Sequence, residues 1–251
     1  EIGTHVDRCR LVVAPDQQGG LGHELFDGLF HWRPALGGHR ELVGHRADAG
    51  FALARRERLL TRLRPGATIG LDGVFAMQDY YAKGGFVFSH RNIRFRPEIP
   101  DAPATPRVDD EDIVPLAEVP FSQVLAYDRT CFPAPRLAFL AGWLAQADAL
   151  ALGCRRNGHL SGYGVVRRCR EGCKIGPLFA DDAPAARALY RHLARFATGG
   201  PLFLDAPENN PDALALVRQH QMREVFGCAR MYLGPPPRIA HERVFGVTTF
   251  E

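Results

Sequence analysis

A serine nucleophile needs a base within reach, and this chain offers little of that kind. Its serines are Ser89, Ser122 and Ser161, and none sits in a G-x-S-x-G elbow. Ten histidines are present, but no two stand four apart and no H-E-x-x-H occurs. Cys169 and Cys173, separated by Arg-Glu-Gly, have a spacing that zinc sites use. No second Cys or His pair accompanies them, so they read as free thiols at a hairpin tip, and no metal is expected. Walker and dinucleotide fingerprints are missing. What remains is a tyrosine and a group of acids and amides. Tyr81 stands in Tyr81-Ala82-Lys83-Gly84-Gly85-Phe86, the sharpest local motif, with Tyr80 beside it on another side of the same helix. His90 reads either as a base near Tyr81 or as a surface histidine. Asp205, Glu208, Asn209 and Asn210 follow a predicted strand at its C-terminal end, where ligands gather in open α/β sheets. Asn209 and Asn210 serve equally well as caps for the helix that starts at 211.

The elements that must hold these residues fall into two halves. Segment 97–106 carries four prolines in ten residues and reads as an extended linker, taken here to 108. In the second half, apolar residues recur at helical spacing over 121–146. Strands are predicted at 149–155 and 162–169, joined by a turn at Asn157-Gly158, and a third at 173–179. A helix over 183–196 follows, then a strand at 201–206, a helix at 211–220 and strands near 224–233 and 243–250. In the first half the matching elements are a helix at 48–63, a strand at 68–73, a helix at 76–83 and a strand at 86–95. Val12-Val13 also reads as a strand.

The halves resemble each other. Sliding 47–72 onto 180–205 without a gap gives nine identities in 26 positions, where about two are expected by chance. Asp72 falls on Asp205, and after a short length difference Arg94 falls on Arg230. The economical reading is an internal duplication. The first half has no counterpart of the 121–146 helix, so it is expected to be truncated at its start.

Composition narrows the class. Of 251 residues 46% are hydrophobic and 24% charged, enough apolar content for one large or two smaller folded domains and too much for a disordered chain. The net charge of +3 leaves no footprint for non-specific nucleic-acid binding. No apolar run reaches 18 residues, and the first residues lack the layout of a secretion signal. Six scattered cysteines read as reduced, which points to a cytoplasmic protein.

The order strand, helix, Tyr81-x-Lys83-x-Gly85-Phe86, strand resembles the C-terminal part of the GNAT superfamily of acyl-CoA N-acyltransferases. The stretch from Ile69 to Arg94 looks like the tandem members of that superfamily. The second half is similar to their divergent C-terminal domain, through Ile175-Gly-Pro-Leu-Phe-Ala180, Leu204-Asp-Ala-Pro-Glu-Asn-Asn210 and Ala229-Arg-Met231. The resemblance implies an α/β fold of two GNAT-like domains, 1–96 and 109–251, each with a mixed, mostly antiparallel sheet.

It also implies acetyl-CoA as acyl donor. The pantetheine arm would enter where strands four and five splay apart, and the pyrophosphate would sit on backbone N–H groups at the start of the next helix. Tyr81 matches the tyrosine that protonates the departing thiolate. The family's phosphate loop, Arg/Gln-x-x-Gly-x-Gly/Ala, is matched imperfectly. On register it falls at Arg46-Ala47-Asp48-Ala49-Gly50-Phe51-Ala52, one residue too long and carrying an acid. A second candidate, Gln17-Gln-Gly-Gly20-Leu-Gly22, has the right spacing but stands far from Asp72. Leu29–Pro34 is an alternative end for strand four. In the second half the loop, Ala180 to Ala186, has two acids and no glycine, and Val217–Met222 lacks the tyrosine. The second domain is therefore expected to be silent and to lend Asp205, Asn209 and Asn210, with Asp72 of the first, to the acceptor site. The activity implied is acetyl transfer to an amine of a small molecule, with no nucleic-acid or membrane partner and with a homodimer allowed. The alternative is a non-catalytic acyl-CoA-binding or scaffold protein.

Overall fold

The computed structural model describes residues 10–13, 66–98, 112–197 and 199–248. All the strands and helices named below lie in the unit formed by 1–14 and 68–251, one of two into which the chain divides. In chain order they are β1 (Arg10–Val13), β2 (Ile69–Val74), α1 (Gln78–Lys83), β3 (Val87–Pro97), β4 (Asp112–Pro115), α2 (Phe121–Cys131), α3 (Leu137–Leu144), β5 (Ala149–Arg156), β6 (His159–Arg168), β7 (Cys173–Ala180), α4 (Ala183–Ala194), β8 (Leu202–Pro207), α5 (Pro211–Gln219), β9 (Met222–Leu233) and β10 (Val244–Gly246). The fold is mixed α/β. The ten strands among the described residues make one sheet in the order β1-β2-β9-β3-β8-β7-β6-β5-β4, with β10 paired to β7. Every pairing is antiparallel except β7 with β8.

Local chemistry sets most of the boundaries. Asn157 and Gly158 both take positive φ, 52° and 80°, the geometry of a tight turn between two twisted strands. Asp182 caps α4 by accepting from the Ala185 N–H at 3.0 Å, and Pro184 occupies the first turn, where its missing N–H is harmless. The predicted helix over 121–146 is two helices. Phe132-Pro133-Ala134-Pro135 separates α2 from α3, because proline cannot join a helical ladder and extends the residue before it.

The core lies on both faces of the central strands. On one face α4 buries Ala185, Ala186, Leu189 and Leu193, a helical stripe, against Leu178, Leu204 and Ala206. On the other, Val124 of α2 and Leu140 of α3 pack with Tyr163 and Phe179.

The centre of the sheet has a two-fold register. Strand–helix–strand units β2-α1-β3 and β8-α5-β9 do not close on themselves. Instead β9 lies between β2 and β3, and β3 lies between β9 and β8. Asp72 faces Arg230 across β2–β9, and Arg94 faces Asp205 across β3–β8. Moving each residue of the first pair onto its sequence counterpart yields the second pair. Asn92 faces Cys228 at the middle of the β3–β9 ladder, the point about which the register repeats. The last strand of each unit is thus exchanged.

Candidate active site

Tyr81 sits in the short helix α1, which follows a 3₁₀ turn at Phe75–Met77. The end of the helix is fixed at this residue. Its carbonyl accepts from Gly84 N–H at 2.9 Å and Phe86 N–H at 3.1 Å, and Gly85 turns the chain with φ of 87°. The half-buried ring of Tyr81 lies against the backbone of β2 at Gly73. A Cβ added there would stand 2.2 Å from the ring's Cε2, so any larger residue would displace the ring. The ring of Tyr80 meets it edge-on at 5.9 Å. The Tyr-x-Lys-x-Gly-Phe motif therefore places a phenol over the C-terminal end of β2.

Successive residues of a strand face opposite sides. Gly73 faces Tyr81, so Asp72 faces away from it. Asp72 is buried, accepting from Arg230 Nη1 at 2.6 Å and Asn92 Nδ2 at 2.8 Å. His90 lies opposite Arg230 in the ladder and shares that face. The structure therefore does not bring Asp72 or His90 to Tyr81. The expectation of a surface His90 is also corrected. His90 is buried, with Nδ1 3.0 Å from Ser89 Oγ and its ring 5.2 Å from that of His241.

Burial, His241 and Arg230 together push the His90 pKa down to about 4, against a smaller opposing pull from Asp72. The fold thus prefers the neutral imidazole. Its contribution is fully present above pH 6.5 and is lost as the pH falls towards 4, a swing of roughly 3 kcal/mol. Urea unfolding at pH 7 and at pH 4 is expected to show that loss, and His90→Gln is expected to flatten it. An equally steep profile in His90→Gln would exclude His90 as the source.

The acceptor residues expected in the second half are placed as follows. Asp205 has no exposed surface. It accepts from Arg94 Nε at 2.7 Å and Nη2 at 3.0 Å, and pairs with Lys174 Nζ at 2.6 Å. Asn210 is buried and caps α5, its Oδ1 accepting from Asp212 and Ala213 N–H at 3.0 and 3.2 Å. Neither is open to a substrate in this structure, because each side chain's polar atoms are taken by the fold. Asn209 is exposed. The phosphate-loop residues Arg46, Ala47, Ala49, Gly50, Phe51 and Ala52 lie outside the described residues. The rival loop at 17–22 also lies outside them; the strand before it, β1, pairs antiparallel with β2. Sequence reasoning missed Asn92, Lys174 and His241. Lys174 and His241 carry no local motif; the pairing of β7 with β8 brings Lys174 to Asp205, and the turn before β10 brings His241 to His90.

The Acetyltransferase (GNAT) domain family matches residues 124–246. That segment, just under half of the chain, is similar to the GNAT family. Across 191 residues the chain is 25% identical to the holothin acyltransferase of Pseudoalteromonas sp. (strain SANK 73390), covering 73% of this chain and 62% of that protein. It is similar to the crystal structure of a candidate acetyltransferase from Pyrococcus horikoshii, with a TM-score of 0.67 and 27% identity over 82% of this chain and 66% of that one. A tandem GNAT protein from the clavulanic acid biosynthesis pathway shares the fold, with a TM-score of 0.51 and 15% identity over 77% of this chain and 72% of that one. The chain thus spans under two thirds of the holothin acyltransferase and of the Pyrococcus protein.

Within the matched segment, the N-terminus of α4 is already served by carboxylates of the chain itself. Asp182 pairs with Arg156 at 2.8 Å, a hydrogen bond that with the Ala185 N–H holds its carboxyl below the usual range. Asp181 accepts from Tyr127 Oη at 2.9 Å and lies 3.3 Å from Arg243. The positive end of the helix is neutralised there, and a pyrophosphate would meet two like charges. Among the described residues no group of His, Cys, Asp and Glu is arranged to hold a metal, and no helix is long and apolar enough to cross a membrane.

Proposed function

We propose that the chain transfers an acetyl group from acetyl-CoA to an amine of a small molecule, with the donor held by the first half. The observation that carries this is the phenol of Tyr81 over Gly73, in the strand–helix–strand setting of a chain whose other half matches the GNAT family. The amine nitrogen attacks the thioester carbonyl and the C–S bond breaks. The Tyr81 hydroxyl gives its proton to the departing thiolate, and the amine loses its own to water or a carboxylate. The same reading takes 1–96 and 109–251 as two GNAT-like halves joined by 97–108, and the two-fold register of their strands supports it. That the similar protein from Pseudoalteromonas is an acyltransferase named for holothin favours a small-molecule acceptor.

The acids at α4 favour a second reading, a protein that transfers nothing. Calorimetry with acetyl-CoA, followed by thiol release in the presence of a panel of small amines, separates the two. Binding with amine-dependent thiol release is the expected result. No binding would leave a scaffold, and binding without release on any amine would leave an acyl-CoA-binding protein.

A further inference from the structure

β7 and β8 run side by side for only three residue pairs, Cys173 to Ile175 against Leu202 to Leu204. Beyond Ile175 their edges part, and such a gap leaves backbone N–H and C=O groups without strand partners. In this chain the gap is filled by its own segment 241–248. β10 pairs antiparallel with β7, Val244 opposite Phe179 and Gly246 opposite Leu178. One residue later the Val247 N–H donates to the Asp205 carbonyl of β8 at 2.8 Å. The segment therefore bonds to both edges and bridges them. Its register shifts between Val244 and Gly246, a bulge, and its side chains reach both cores. Val244 joins the core under α2 and α3, and Phe245, with no exposed surface, joins the core under α4 and α5.

The fit is close on every side. A Cβ on Gly176 of β7 would stand 2.3 Å from the Thr248 carbonyl oxygen and 2.7 Å from that of Val247. Asn210 Nδ2 donates to the carbonyls of Glu242 and Val244 at 3.1 and 3.0 Å, and Arg136 Nη1 donates to Thr248 Oγ1 at 2.9 Å. At the other end His241 packs edge-on to His90, across the central ladder.

We infer that segment 241–248 is the resident occupant of the cleft between β7 and β8, and that this cleft is thereby closed to any extended, amide-bearing ligand such as the pantetheine arm of coenzyme A. The inference rests on the proposed function only for the ligand named. Its consequence is stoichiometric: a chain with two similar halves takes one donor.

Hydrogen–deuterium exchange over 241–248, read by peptide mass spectrometry on the full chain, tests this directly. In the free protein the Val247 amide is expected to exchange as slowly as the core of β6, and saturating acetyl-CoA or coenzyme A is expected to leave it unchanged. Gly176→Ala should speed exchange across 244–248 roughly tenfold or more while the β5–β6 hairpin stays protected. Where that variant does not fold, Arg243→Ala, which removes a surface tie to Asp181, is expected to loosen 241–243 and leave Val247 slow. Fast exchange at Val247 in the free protein would overturn the inference. So would loss of its protection on adding coenzyme A, or a titration ending at two donors per chain. A protected segment with no donor heat at all would sustain the resident strand and defeat the acetyl-transfer reading instead.

Discussion

Asp205→Ala is expected to destabilise the protein by about 3–5 kcal/mol, the range for removing one partner of a buried ion pair. Asp205 has no exposed surface, and its two oxygens hold Arg94 and Lys174, of which Lys174 is itself buried. Removing the carboxylate leaves both cations in the sheet without the charge they share. Asp205→Asn keeps the shape and part of the hydrogen bonding but not the charge, and a smaller loss is expected. The two-fold register supplies a control. Asp72 is the counterpart of Asp205, but it meets one cation, Arg230, and the neutral amide of Asn92. Asp72→Ala is therefore expected to lose less. Urea unfolding of the three variants gives the order, and an Asp72→Ala loss equal to or above that of Asp205→Ala would contradict it.

The same acids and bases show how far the sequence was legible. Asp72 matching Asp205, and Arg94 matching Arg230, are visible in one chain read alone. Which acid meets which base is not. If β3 paired directly with β2, Arg94 would face the strand that holds Asp72 instead of β8. The observed exchange, with β9 between them, is decided by pairings between residues more than a hundred positions apart, and no local propensity encodes them. Elements with strong local chemistry were legible. The Asn157-Gly158 hairpin and the Asp182 cap follow from turn and cap residues. The single helix over 121–146 was wrong because apolar spacing on both sides of Phe132–Pro135 hid the break those prolines impose. β4, short and at the edge of the sheet, carries too few residues for a periodic signal. At the candidate site the motif located Tyr81, but the pleat of β2 decided what shares its face. That excluded Asp72 and His90, which sequence proximity had grouped with it.

Tyr81→Phe is expected to lower turnover by roughly a hundred-fold or more, the loss typical of a missing general acid, while leaving acetyl-CoA affinity nearly unchanged. The substitution suits the question because of what it preserves. The ring rests on Gly73, where even a methyl group has no room, and phenylalanine keeps that contact while removing only the hydroxyl. The carbonyl that accepts from Gly84 and Phe86 belongs to the backbone and stays in place. A fall in turnover then belongs to the proton and not to the packing of α1. Gly73→Ala makes the complementary change, since its Cβ would stand 2.2 Å from the ring and must displace it with the hydroxyl intact. If Tyr81 acts as the acid, both variants lose turnover, and the first does so with its unfolding midpoint unchanged. Weakened acetyl-CoA binding with normal turnover in Tyr81→Phe would make Tyr81 a packing residue. Normal turnover in both variants would remove it from the chemistry, and the thiolate would then have to take its proton from a group outside α1.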